Sequence, residues 1–157
     1  MDRFRRIDQG GKNYIDANDL QVAFSTPASK YPIVGARTLL RLFADGSQMN
    51  FEQFVNMSKF IQQVLIAFKR HSPQGMQIAQ FRAAIQELGI FIEEQTSISM
   101  YQLALDMNNN HFGLLEFQFV VVFLKLGEQL FNSWTGDGDG LLHIGYERML
   151  CLLMWFM

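Results

Sequence analysis

The chain has 157 residues, a formal net charge of −2, 49% apolar residues and fifteen Phe. That is enough for one domain, or for two small lobes that share a core. The charge excludes generic nucleic-acid binding, which needs clustered Lys and Arg, and the one basic cluster (Arg3, Arg5, Arg6) reads as a solvated first turn.

From the N-terminus onward, short turns rich in Gly, Asn and Asp alternate with helical periodicity. The first turn, GGKNYIDAND, carries the apolar residue Ile15 and precedes a helix expected over 19–25. Pro27 and Pro32 bracket a loop, and a helix is expected over 33–43. The second turn, DGSQMNFEQ, carries Met49 and opens a long amphipathic helix over about 51–69. There Phe51, Phe54, Val55, Ser58, Ile61, Leu65 and Phe68 follow helical spacing. The third turn, SPQGMQIAQ, carries Ile78 before a helix over 80–88, which Gly89 stops. A helix over 96–105 leads to the fourth turn, MNNNHFGLLEFQ, with Leu114. The next helix, about 116–132, is apolar on nearly every face and must be covered on most sides. The fifth turn, GDGDGLLHIGY, carries Leu142 and precedes a helix over 145–156.

The single cysteine, Cys151, lies in an apolar run, excludes an internal disulfide framework and fits a reducing, cytoplasmic setting. The N-terminus MDRFRRID is polar, so no secretory leader is expected. The apolar runs 119–126 and 149–157 fall short of the roughly 20 residues that span a bilayer. No nucleophile elbow, phosphate loop or paired Cys is present, and His71, His111 and His143 are scattered over loops. An enzyme is therefore not expected.

The intervals between Ile15, Met49, Ile78, Leu114 and Leu142 alternate long and short. One long helix leaving one turn and entering the next explains the short intervals. This is a helix–loop–helix repeat, and its loops follow the EF-hand pattern. That pattern places oxygen ligands at positions 1, 3, 5, 7, 9 and 12, with a turn residue at 6. The expected fold is all-α, with five EF-hand motifs, about eight helices and short β-strands that pair the loops through position 8. It forms one domain over 1–157, with hands at about 1–25, 33–60, 61–89, 96–125 and 120–157.

Four segments carry a family resemblance: FRRIDQGGKNYIDANDLQVAF, MNFEQF, LLEFQF and WTGDGDGLLHIGYERML. With them in register across residues 4–157, the chain resembles the penta-EF-hand family, the group of sorcin, grancalcin, peflin and the calpain small subunit. The resemblance implies calcium-responsive binding of target proteins or peptides. It also implies a dimer formed by the fifth hands of two chains. The residues expected at that interface are Leu142, Ile144, Tyr146, Leu150, Leu153, Met154 and Trp155.

The loops depart from the calcium-binding pattern. The first offers Asp8, the Tyr14 carbonyl, Asp16 and Asp19 at positions 1, 7, 9 and 12, but Lys12 at position 5 puts an ammonium where a cation belongs. Asn13 at position 6 tolerates the left-handed turn. The second loop has Asp45 and a neutral closing residue, Gln53, and the third has no carboxylate. The fourth offers Asp106, Asn108 and Asn110, with Gln118 expected at position 12. The fifth offers Thr135, Asp137, Asp139 and the Leu141 carbonyl, with Tyr146 in place of the closing acid. Calcium is thus expected to bind weakly or not at all.

The expected function is a non-catalytic interaction protein, dimerising with an identical or related penta-EF-hand chain, with no nucleic acid and no membrane span. The alternative is a genuine calcium sensor with one or two working sites, in which Met100, Met107, Met149, Met154 and Met157 line an adaptable target groove instead of filling core gaps.

Overall fold

A computed structural model of the chain describes residues 1–27, 30–44, 46–72, 75–107 and 111–134. The expected fifth hand, with Thr135, Asp137, Asp139, Leu141 and the proposed interface residues from Leu142 to Trp155, lies outside the described residues.

Seven helices are formed among the described residues: α1 (Asp2–Ile7), α2 (Ala17–Phe24), α3 (Ile33–Phe43), α4 (Phe51–His71), α5 (Ile78–Glu87), α6 (Glu94–Met107) and α7 (Leu114–Trp134). The chain divides into two compact units, Met1–Leu126 and Gly127–Met157, and the description below concerns the first.

Helix boundaries have local causes. Helix α4 starts where Asn50 accepts the backbone N–H of Gln53 and the Gln53 side chain accepts that of Asn50. Glu52 in its first turn and Lys69, Arg70 and His71 in its last complement the helix dipole. Helix α5 ends at Glu87, and Gly89 two residues on takes a φ of 74°, which glycine adopts without the clash of a Cβ. There the Ile90 N–H reaches the Ile85 carbonyl at 2.9 Å and the Gly89 N–H reaches that of Gln86 at 3.0 Å. This pair of bonds satisfies carbonyls that the helix end leaves open.

The apolar side chains collect in two clusters. The first holds Phe4, Ile15, Leu20, Tyr31, Leu39 and Met49 at its centre, fed by α1, α2, α3 and the start of α4. The second is aromatic. Phe81 makes edge contacts with Phe112 and Phe117, and Tyr101 stacks on Phe112 at 4.8 Å between centroids. Two helices serve both clusters. Helix α4 gives Phe54 and Met57 to the first and Val64 to the second, while α7 gives Val122 to the first and Phe117, Val120 and Val121 to the second.

Helix α7 buries Phe117, Val120, Val121, Val122 and Leu126, which explains its apolarity on several faces. Met49, Met57 and Met76 are buried in the clusters and Met100 packs partly buried against the second, while Met149, Met154 and Met157 lie outside the described residues.

Three expectations need correction. Strands were expected between the loops, but no strand forms among the described residues. Ile15 and Met49 instead form an isolated antiparallel bridge, with N–H···O distances of 2.9 and 2.8 Å in the two directions. Ile78 and Leu114 were expected to hold the apolar position before a helix start. They are instead the first residues of α5 and α7. Met76 and Phe112 hold that position, each two residues ahead of its helix, as Ile15 and Met49 are ahead of α2 and α4. All four are buried. The SPQGMQIAQ and NNNHFGLLEFQ segments each offer two apolar candidates two residues apart, and only packing chooses between them.

Candidate functional site

The four described loops share one device. In each, the third residue of the following helix turns its side-chain oxygen back onto the backbone N–H just before that helix. Asp19 Oδ2 accepts from Asp16 N at 2.9 Å and Gln53 Oε1 from Asn50 N at 2.9 Å. Gln80 Oε1 accepts from Gln77 N at 2.8 Å and Glu116 Oε2 from Gly113 N at 2.9 Å. These residues occupy the closing position of each loop, and here they cap helices.

This corrects the register of the fourth loop. Its closing residue is Glu116, not Gln118. The Gln118 side chain is buried, and its amide donates to the Tyr31 phenolic oxygen at 3.3 Å. Asp106 accepts from the Gln102 amide at 3.2 Å. Asn108 and Asn110 lie outside the described residues, as does Asp45 of the second loop.

In the first loop Asp16 and Asp19 meet on Lys12. The Lys12 ammonium lies 2.6 Å from Asp16 Oδ2 and 2.8 Å from Asp19 Oδ2. It also sits 5.0 Å from the centroid of the Tyr14 ring, over its face. Asp8 takes a different part. Its two carboxylate oxygens accept the backbone N–H groups of Lys12 at 2.9 Å and Asn13 at 2.7 Å. Those bonds hold the turn in which Asn13 adopts a φ of 64°, the left-handed conformation that its side chain tolerates. Asp19 Oδ1 accepts from Gln9 N at 3.2 Å, and Asp16 Oδ1 caps α2 by accepting from Asn18 N and Asp19 N.

The electrostatics follow from this geometry. Hydrogen bonds to Asp16 and then Asp19 raise the Lys12 ammonium well above its ordinary pKa. Burial pushes the Asp16 carboxyl up, but the Lys12 hydrogen bond and the backbone donors outweigh it and hold the group below its usual value. Asp19 is buried, with the ammonium against it, while the Lys12 and Asp16 side chains remain partly exposed.

Calcium requires six to eight oxygen ligands around an open centre. In the first loop the centre between Asp16 and Asp19 is taken by a cationic nitrogen, which repels a second cation. The residues as placed do not fit a calcium ion. Among the described residues, no group of three His, Cys, Asp or Glu side chains is placed to hold a metal ion.

A separate surface feature lies on the same lobe. A groove of about 430 Å³ runs between α1, the end of α2 and α4. Phe4, Phe24, Phe51, Val55, Ile61 and Leu65 form its apolar wall. Its two charged lining residues, Arg3 and Lys59, are both cationic. No described helix is long and apolar enough to cross a membrane.

No family model matches the chain, and no curated protein matches it in sequence. In structure it is similar to a homolog of programmed cell death 6 protein from Leishmania major Friedlin. The TM-score is 0.68 at 18% identity, covering 100% of this chain and 89% of that one. The described residues form helices and no strand, and this likeness is consistent with an EF-hand fold.

Proposed function

We propose that this chain is a non-catalytic interaction protein of the penta-EF-hand type, in which calcium binding is weak or lost. The observation that carries this reading is the Lys12 ammonium held between Asp16 and Asp19 at 2.6 and 2.8 Å. A switch needs an ion that separates two states in free energy. A loop already filled by its own side chain, and closing residues already used as helix caps, leave calcium little to change.

The groove beside α4 supports the interaction half of the proposal. Its occupant in this reading is an acidic, amphipathic segment of a target protein. The apolar wall takes the segment's apolar face, and Arg3 and Lys59 meet its carboxylates. Dimerisation through the fifth hand, by Leu142, Ile144, Tyr146, Leu150, Leu153, Met154 and Trp155, rests on the sequence and the family resemblance. The same resemblance supports a protein partner of the same family, and the single cysteine fits a cytoplasmic setting. The convergence of Asp16 and Asp19 on one cation favours a second reading, a sensor whose first loop exchanges lysine for calcium.

Calorimetric titration of calcium into chelator-stripped protein, with sedimentation in chelator and in calcium, tests these readings. The proposal expects no saturable heat below millimolar calcium and a dimer in both conditions. Saturable heat abolished by Asp19→Ala supports the sensor.

A further inference from the structure

We propose that Lys12 is the resident cation of the first loop, so that the charge on one side chain, not the calcium concentration, holds this hand in its cation-filled shape. The inference deepens the reading above and rests on it. Weak calcium binding by itself is compatible with a collapsed or disordered loop. The geometry is instead that of an ordered loop closed around a positive charge.

Several independent contacts describe that order. Asp8 binds the backbone N–H groups of Lys12 and Asn13 and so fixes the turn. Asp16 and Asp19 converge on a single point from the far side of the loop, and that point is the Lys12 nitrogen. The Ile15 bridge to Met49 ties the same loop to its neighbour. Two carboxylates facing one centre repel each other unless a cation stands between them. A tethered ammonium supplies one charge at no cost in translational freedom, because it is already part of the chain. It has three donors, and two of them are used here on Asp16 and Asp19.

The consequence is that removing the ammonium leaves a loop short of one cation. Asp16 and Asp19 then face a centre that an external ion can enter. Substituting Lys12→Asn places an amide oxygen at the position of the ammonium stem. Substituting Lys12→Met removes the charge and adds no ligand. Both variants should loosen the loop without metal, and Lys12→Asn should gain a site for a hard cation.

Terbium is the probe, because it replaces calcium at oxygen sites and is excited through a nearby tyrosine. The Tyr14 ring lies 5.0 Å from the present ammonium, within that range. The expected result is tyrosine-sensitised luminescence in Lys12→Asn, displaced by excess calcium, absent from the wild type and lost again in Lys12→Asn with Asp19→Ala. Hydrogen exchange provides the second readout. Protection of the Lys12 and Asn13 amides should be equal in chelator and calcium in the wild type, lost in Lys12→Met, and regained with calcium in Lys12→Asn. If neither variant binds terbium and the amides stay protected, the ammonium is not organising the loop. That outcome overturns this proposal and leaves calcium independence standing. If the wild type shows Asp19-dependent luminescence, calcium displaces Lys12, and both this proposal and the functional reading fail. Where Lys12→Asn does not fold, Lys12→Gln takes its place, with the same expected luminescence and the same overturning result.

Discussion

The amide of Gln118 donates to the phenolic oxygen of Tyr31 at 3.3 Å, inside the protein and across a separation of 87 residues. The contact joins the loop after α2 to a helix that serves both core clusters. It is secured from the other side, where Tyr31 N donates to Ser25 Oγ and the Gln21 amide donates to the Tyr31 carbonyl, both at 2.8 Å. Replacing Tyr31→Phe strips the amide of this acceptor and should cost about 1–3 kcal/mol, the scale of a buried polar group left unpaired. Adding Gln118→Leu should recover most of the loss, because both partners are then apolar. Urea denaturation of the wild type, the two single variants and the double variant measures the coupling.

Gly35 should tolerate no larger residue. A Cβ built on it would lie 2.9 Å from the Tyr31 hydroxyl and 3.0 Å from the ring carbons Cε1 and Cζ. The Tyr31 ring is fully buried and held at its backbone, so it cannot move aside freely. Gly35→Ala should therefore destabilise by about 1–3 kcal/mol, although alanine favours helices. A variant as stable as the wild type in thermal melting would show that the ring has room to shift.

The first loop should give stability a dependence on pH at both ends. Lys12 is raised above its ordinary 10.5, so its contribution is complete below that pH and is lost as pH climbs through the higher folded value. Asp16 is lowered below 3.8, so its contribution is present above that pH and is lost as pH falls through the lower folded value. Burial also pushes Tyr31 up from 10.0 to about 12, against the opposing Gln118 donor, so folding favours the neutral phenol and stability declines between those values. Denaturation midpoints across pH check the pattern. Asp16→Asn keeps a capping oxygen but removes the charge and should flatten the acid limb.

Restoring an acid at the wrong residue separates two registers of the fourth loop. If Gln118 closed that loop, Gln118→Glu would supply the missing calcium ligand. With Gln118 buried against Tyr31, the same change places a carboxylate in the core and should cost roughly 3–5 kcal/mol, the scale of an uncompensated buried charge. Glu116→Ala should instead lose the cap at Gly113 N, a cost of about 1 kcal/mol. Thermal melts with and without calcium distinguish the two.

What could be read from the sequence was whatever depends on short-range pattern. The helix over 33–43 was placed at its observed ends, and the long helix expected over about 51–69 is α4, two residues longer at its C-terminal end. Apolar periodicity fixes such helices locally. That Lys12 conflicts with the acids Asp16 and Asp19 around it could be read from spacing, because a loop of fixed length holds fixed positions near one another. Three things required the tertiary structure. Met76 rather than Ile78, and Phe112 rather than Leu114, hold the apolar position before their helices, because only the packed aromatic cluster tells two apolar residues apart. Gln118 lies in the core and Glu116 at the loop, a choice made by the rotation of α7 against its neighbours. The direction of the Lys12 side chain is the last. Its sequence position allows the ammonium to reach solvent or to turn inward, and the two carboxylates waiting across the loop decide that it turns inward.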